Sequence, residues 1–152
     1  MKKYIQIIDG PNLNLTGKRQ VKIFGEAPVE DVVKDIRKHY NLLDVEVRHY
    51  QSNVEGELIN KLHESGYDRN CMGIILNGGA YTHTSIALAD AVAAIPTSVV
   101  EVHISNIYRR GKMRAKSFLA PVCKGSITGF GLDSYKLAAD AILREHNMSV
   151  RL

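Results

Sequence analysis

The sequence predicts an α/β protein: one parallel sheet of five strands, with helices packed on both faces. Three observations predict it. Short apolar or alternating runs of β type recur five times along the chain. Segments with helical spacing of apolar residues separate them, and such alternation needs crossover connections, which give parallel strands. The chain has 152 residues, the size of a single domain over 1–152 that buries roughly two-thirds of its unfolded surface.

The elements follow in order. YIQII (4–8) is an apolar strand ending in the turn residues Asp9, Gly10 and Pro11. VEDVVKDIRKHY (29–40) places Val29, Val32, Val33, Ile36 and Tyr40 on one stripe, with Pro28 at its start, where proline is tolerated. VEVRHY (45–50) alternates as a strand, and EGELINKLHES (55–65) is a helix facing inward through Leu58, Ile59 and Leu62. GIIL (73–76) reads as a fully buried strand, and SIALADAVAAI (85–95) as a helix of small residues. SVVEVHI (98–104) is the fourth strand and GSITGFG (125–131) a weak fifth. LDSYKLAADAILREH (132–146) closes the chain with Leu137, Ala138, Ala141 and Ile142 inward. Right-handed crossovers then favour the strand order 2-1-3-4-5, a flavodoxin-like three-layer sandwich.

Composition narrows the class of function. No run of about 18 apolar residues is present, and MKKYIQIIDG has no secretory leader pattern, so a cytoplasmic protein with no membrane partner is expected. Cys71 and Cys123 have neither CxxC nor Cys/His ligand spacing, so two free, buried thiols and no zinc are expected. Lys and Arg number 20 against 16 acidic residues, a net charge of +4. These cations are dispersed, without RNP-type aromatics or a basic recognition helix, which argues against a nucleic-acid partner. A pocket for a small acid suits the excess.

In open parallel sheets ligands bind beyond the carboxyl ends of the strands. The segments there are DGPNLNLTGKR, QSNVEGE, NGGAYTHTS and HISN, the most polar and glycine-rich pieces of the chain. GPNLNLTGKR is not a Walker A loop: six residues separate Gly10 from Gly17, and Arg19 stands where Ser or Thr would bind magnesium. A phosphorylated receiver is excluded because the third strand ends in Asn77 where an acceptor aspartate would stand, and the first loop lacks the Ser/Thr character of a flavin phosphate loop.

The blocks DGPNLNLTGKR (9–19), QSNVEGELI (51–59), NGGAYTHTS (77–85) and EVHISNI (101–107) resemble, in order and spacing, the signatures of the type II 3-dehydroquinate dehydratase family. The resemblance covers nearly the whole chain. It implies elimination of water from 3-dehydroquinate, a small anionic cyclic substrate, without metal or cofactor. It also implies a homo-oligomer, a dodecamer built as a tetramer of trimers. Dehydration beside a ketone requires a base for the α-proton, a holder for the enolate and an acid for the departing hydroxyl. By resemblance the acid is His103, oriented by Glu101, and Arg19 lowers the pKa of a lid tyrosine that serves as base. Asn12 and Asn77 surround the enolate and leaving group, and the amides of Ile104 and Ser105 take the carboxylate. His83, Asp90 and Arg114 complete substrate binding, Asp90 from a neighbouring subunit.

Departures from the pattern concentrate around that pocket. The family lid reads GxREPxxYG, whereas this chain has GKRQVKIFG, so Phe24 occupies the base position. A general base contributes about 10²- to 10⁴-fold, so turnover is expected to be impaired. Asp9 replaces the usual Asn, Gly78 the usual Pro, Gln20-Val21 the usual Glu-Pro, and Gly111, Lys112, Ala115 and Lys116 alter the REPFRHHS segment. Changes at several sites favour natural divergence over a single engineered Tyr-to-Phe change. Asp9 and Tyr108 are the candidate substitute bases. The alternative function is a diverged, non-catalytic binder of a cyclic polyhydroxy acid. His39, His49, His63 and His146 read as surface or packing residues, and Tyr81 as a packed wall.

Overall fold

Residues 1–148 are described by the computed structural model. β1 (Tyr4–Asp9) is buried at every position because it is an interior strand, paired in parallel with β2 (Glu46–Gln51) on one side and β3 (Cys71–Asn77) on the other. β4 (Val99–His103) and β5 (Gly125–Thr128) extend the sheet to the order β2-β1-β3-β4-β5, all parallel. The predicted flavodoxin-like order is therefore the observed one. β2 is an edge strand and half-buried, which is why its sequence alternates while β3 reads as an unbroken apolar run.

Successive side chains of β1 divide between two cores. Ile5 and Ile7 join the face covered by α2 (Val29–Tyr40) and α6 (Asp133–Glu145), while Tyr4 and Ile8 join the face covered by α3 (Glu55–Gly66) and α4 (Ile86–Ala94). α2 buries the predicted stripe of Val29, Val32, Val33, Ile36 and Tyr40, each such side chain contributing about 1.5–3 kcal/mol of transfer free energy. Glu30 and Asp31 in its first turn and Arg37, Lys38 and His39 in its last complement the helix dipole. α4 begins at Ser85, whose hydroxyl accepts the Leu88 N–H at 2.8 Å, and breaks before Pro96.

Three expectations need correction. α6 faces the core through Tyr135, Ala138, Ala139, Ile142 and Leu143, whereas Leu137 is 46% exposed and Ala141 is also outside. The buried set is a full helical stripe at i, i+3, i+4, i+7 and i+8 that begins at Tyr135, and Leu137 and Ala141 lie off it. Cys123 is half-buried, although both thiols are free as expected. Single-turn helices α1 (Val21–Phe24) and α5 (Lys112–Ala115) occupy loops, four residues being too few to show periodicity. No helix among the described residues is long and apolar enough to cross a membrane.

Candidate active site

The loops after β1, β2 and β3 are tied together before any functional side chain is placed. Gly10 N–H donates to Asn77 O at 2.8 Å, and a Cβ on Gly10 would lie 2.5 Å from Gly78 O, so only glycine permits this approach. Asn12 adopts φ 67°, a left-handed conformation that Asn tolerates. Its N–H donates to Asn53 Oδ1, which also accepts from Gln51 Nε2. Tyr81 Oη donates to Asn53 O, a role at the rim consistent with a packed wall.

Beyond these strand ends lies an enclosed cavity of about 80 Å³. Of the predicted site residues, Asn12, Arg19, Phe24, Asn77, His83, His103, Ile104, Ser105 and Arg114 line it, together with Arg110. A larger hollow of about 670 Å³ opens along the β2 edge, lined by Lys2, Arg37, Lys38 and Arg48. It lies away from the strand ends and contains none of the predicted residues, so size is a poor guide to the chemistry here.

The β4 wall carries His103 and Glu101. His103 is buried, with Nε2 3.1 Å from Glu101 Oε1, close enough for strong attraction though too bent for a well-formed hydrogen bond. Glu101 is fully buried and accepts from Ser117 Oγ at 2.6 Å and Ser126 Oγ at 2.9 Å. Burial works to raise its carboxyl pKa, but His103, Ser117 and Ser126 outweigh that and hold it below the ordinary carboxylate value. The Glu101 carboxylate is thereby held as a buried anion directly behind the His103 ring. Ser117 and Ser126 carry no motif of their own, and sequence reading missed them.

His83 is held differently. Its Nδ1 lies 2.7 Å from Lys116 O, a carbonyl that only accepts, so Nδ1 carries the proton. Burial pushes its pKa down and the neighbouring His103 and Arg114 add to this, against the opposing hydrogen bond to Lys116. A neutral ring with a free Nε2 acceptor suits a substrate hydroxyl. The two imidazoles face one another with centroids 6.3 Å apart.

The lid wall, residues 17–25, is bounded by Gly17 (φ +83°) and Gly25 (φ +84°), conformations that favour glycine. Between them Phe24 is buried, its ring 4.7 Å from the Arg19 guanidinium carbon and 4.9 Å from that of Arg110. Burial, then Arg114 and Arg19, lower the pKa of Arg110. No Asp or Glu lines the cavity among the described residues, so three guanidiniums converge without a carboxylate to neutralise them. That field selects an anion. Arg110 escaped sequence reading because it sits in the run Arg109-Arg110-Gly111-Lys112, where any cation reads as a solvated loop residue.

Four named residues lie outside the cavity. Glu101 acts from behind His103. Asp90 projects from the exposed face of α4. Tyr108 is 60% exposed. Asp9 is buried with both carboxylate oxygens engaged, one 2.6 Å from His49 Nε2 and the other accepting from Tyr135 Oη at 2.6 Å. Neither candidate substitute base faces the site.

Fold and site together define a doubly wound α/β protein with a pocket at its strand ends lined by three arginines and two histidines. Residues 3–143 match the family model described as Dehydroquinase class II. The chain is 48% identical over 138 residues to the 3-dehydroquinate dehydratase of a Nitratiruptor species, covering 91% of this chain and 87% of that one. It is 47% identical over 140 residues to that of Caldicellulosiruptor bescii, covering 92% and 96%. The crystal structure of type II dehydroquinase from Butyrivibrio crossotus superposes with a TM-score of 0.87 at 41% identity, over 93% of this chain and 97% of that one. The chain belongs to the class II dehydroquinase family.

Proposed function

We propose that this protein acts on 3-dehydroquinate as a type II dehydratase whose proton-abstraction step is crippled by Phe24. The observation that carries the reading is the pairing, in one cavity, of Glu101-backed His103 with three guanidiniums and a phenyl ring at the base position. The substrate carboxylate is received at Ile104 and Ser105, and the enolate oxygen lies in the field of the cations with Asn12 and Asn77. His103 gives a proton to the departing hydroxyl, so that water leaves. The α-proton must pass to water in place of a tyrosinate, because no lining side chain supplies an oxyanion. No metal or cofactor has a step in this scheme. Asp90, exposed on α4, serves the cavity of a neighbouring copy within a tetramer of trimers, and the cytoplasm is the proposed setting.

The second reading, a binder of cyclic polyhydroxy acids without turnover, is favoured by the same Phe24. Titration of the purified protein with 3-dehydroquinate, by calorimetry and by ultraviolet absorbance of the conjugated product, separates the two. Saturable binding with slow product formation is expected. Binding without product supports the binder, brisk turnover removes the impairment, and absence of binding overturns both readings.

A further inference from the structure

A chain of hydrogen bonds runs from the β2 edge to Asn77 at the floor of the cavity, and its members before Asn77 take no part in the scheme above. His49 Nε2 lies 2.6 Å from Asp9 Oδ2, Tyr135 Oη donates to Asp9 Oδ1 at 2.6 Å, and Asn77 Nδ2 donates to Tyr135 Oη at 2.9 Å. Asn77 Oδ1 accepts the Gly79 N–H at 3.2 Å, ending the chain in the loop after β3. Asp9, Tyr135 and Asn77 are all nearly inaccessible to solvent. The three links come from β1, α6 and β3, so the network has no local sequence signature.

The directions of these bonds are set from both ends, by the Asp9 carboxylate, which only accepts, and by the Gly79 N–H, which only donates. A carboxylate accepts and never donates, so Asp9 forces the Tyr135 hydroxyl proton toward itself and His49 to present an N–H. The hydroxyl oxygen is then left as acceptor and, together with the Gly79 N–H, holds the Asn77 NH₂ toward Tyr135 and its carbonyl toward Gly79. One amide proton and one carbonyl lone pair remain for the cavity. Tyr135 is held protonated: burial and the adjoining Asp9 raise its pKa well above the ordinary tyrosine value. An asparagine at position 9, as the family usually has, offers both a donor and an acceptor and would leave the directions set from the Gly79 end alone.

We infer that Asp9, braced by His49, is a positioning residue that acts through the Tyr135 hydroxyl to lock the Asn77 amide in a single orientation for substrate. The consequence for ligand rests on the proposed function, whereas the lock itself is a property of the free protein. The test therefore has two arms. In ¹⁵N-labelled free protein the Asn77 side-chain NH₂ pair, assigned by its disappearance in Asn77→Asp, should be slow to exchange and displaced from the bulk amides. Tyr135→Phe, which keeps the ring, should return it to the bulk position with fast exchange, and Asp9→Asn should shift it in the same direction.

In the second arm, 3-dehydroquinate binding should weaken about five- to tenfold in Tyr135→Phe, as for loss of one oriented hydrogen bond. Asp9→Asn should weaken it less and add nothing further in the Tyr135→Phe background. Unchanged Asn77 resonances in both variants overturn the lock, as does an undiminished Asp9→Asn effect without the hydroxyl. If wild type binds no dehydroquinate while the resonances respond as stated, the lock stands and the substrate assignment fails.

Discussion

The two walls of the cavity are built from the same family blocks but have fared differently. On the β4 wall, His103, Glu101, Ser117 and Ser126 form a buried set in which charge and hydrogen bonding agree. On the lid wall, Arg19 and Arg110 still bracket the ring of residue 24, yet that ring has no hydroxyl to ionise. Both guanidiniums make cation–π contacts with the phenyl ring, so aromatic packing suffices to hold them beside residue 24 without a hydroxyl.

The strongest way to break this contrast is Phe24→Tyr. It should raise kcat on 3-dehydroquinate by about 10²- to 10⁴-fold, read by product absorbance, because both guanidiniums already lie against the ring that would carry the hydroxyl. Next, His103→Ala in the Phe24→Tyr background should remove about 10²-fold or more of the regained rate while leaving substrate binding largely intact. Equal loss of binding and rate would instead make His103 a binding residue.

Arg110→Ala sharpens the contrast from the lid side. With Phe24 present it should weaken binding of the anionic substrate about tenfold, measured by calorimetry, as for a charge-assisted hydrogen bond. In the Phe24→Tyr background it should also raise the pKa governing the basic step, read from the pH profile of kcat. The smallest effect concerns Glu101. Its folded pKa is depressed, so it stabilises the protein above the unfolded carboxyl value, and that contribution is lost as pH falls through the lower folded value. Glu101→Gln should therefore flatten the fall in thermal stability on acidification below about pH 4.3.

Residues whose partners are near in sequence were the legible ones. The stripe of α2 fixed both its ends and its buried face, and Glu101 could be linked to His103 because alternate residues of a strand share a face. The pocket itself was legible because the strand-end rule gathers four loops onto one rim. Arg110, Ser117 and Ser126 were not, since each reaches the site from a segment without periodicity. His49 read as a surface or packing residue because its partner, Asp9, lies 40 positions away on a neighbouring strand. The inward face of α6 was misjudged because its apolar residues support two overlapping stripes, and the one that starts at Tyr135 and runs through Ala139 and Leu143 is the buried one.

The central claim is that the cavity retains substrate recognition and the acid while lacking only the base. Steady-state kcat and KM for 3-dehydroquinate, measured on wild type and Phe24→Tyr under the same conditions, test it most directly. The account predicts a gain of about 10²-fold or more in kcat with KM little changed. Rapid wild-type turnover that Phe24→Tyr fails to improve would contradict it.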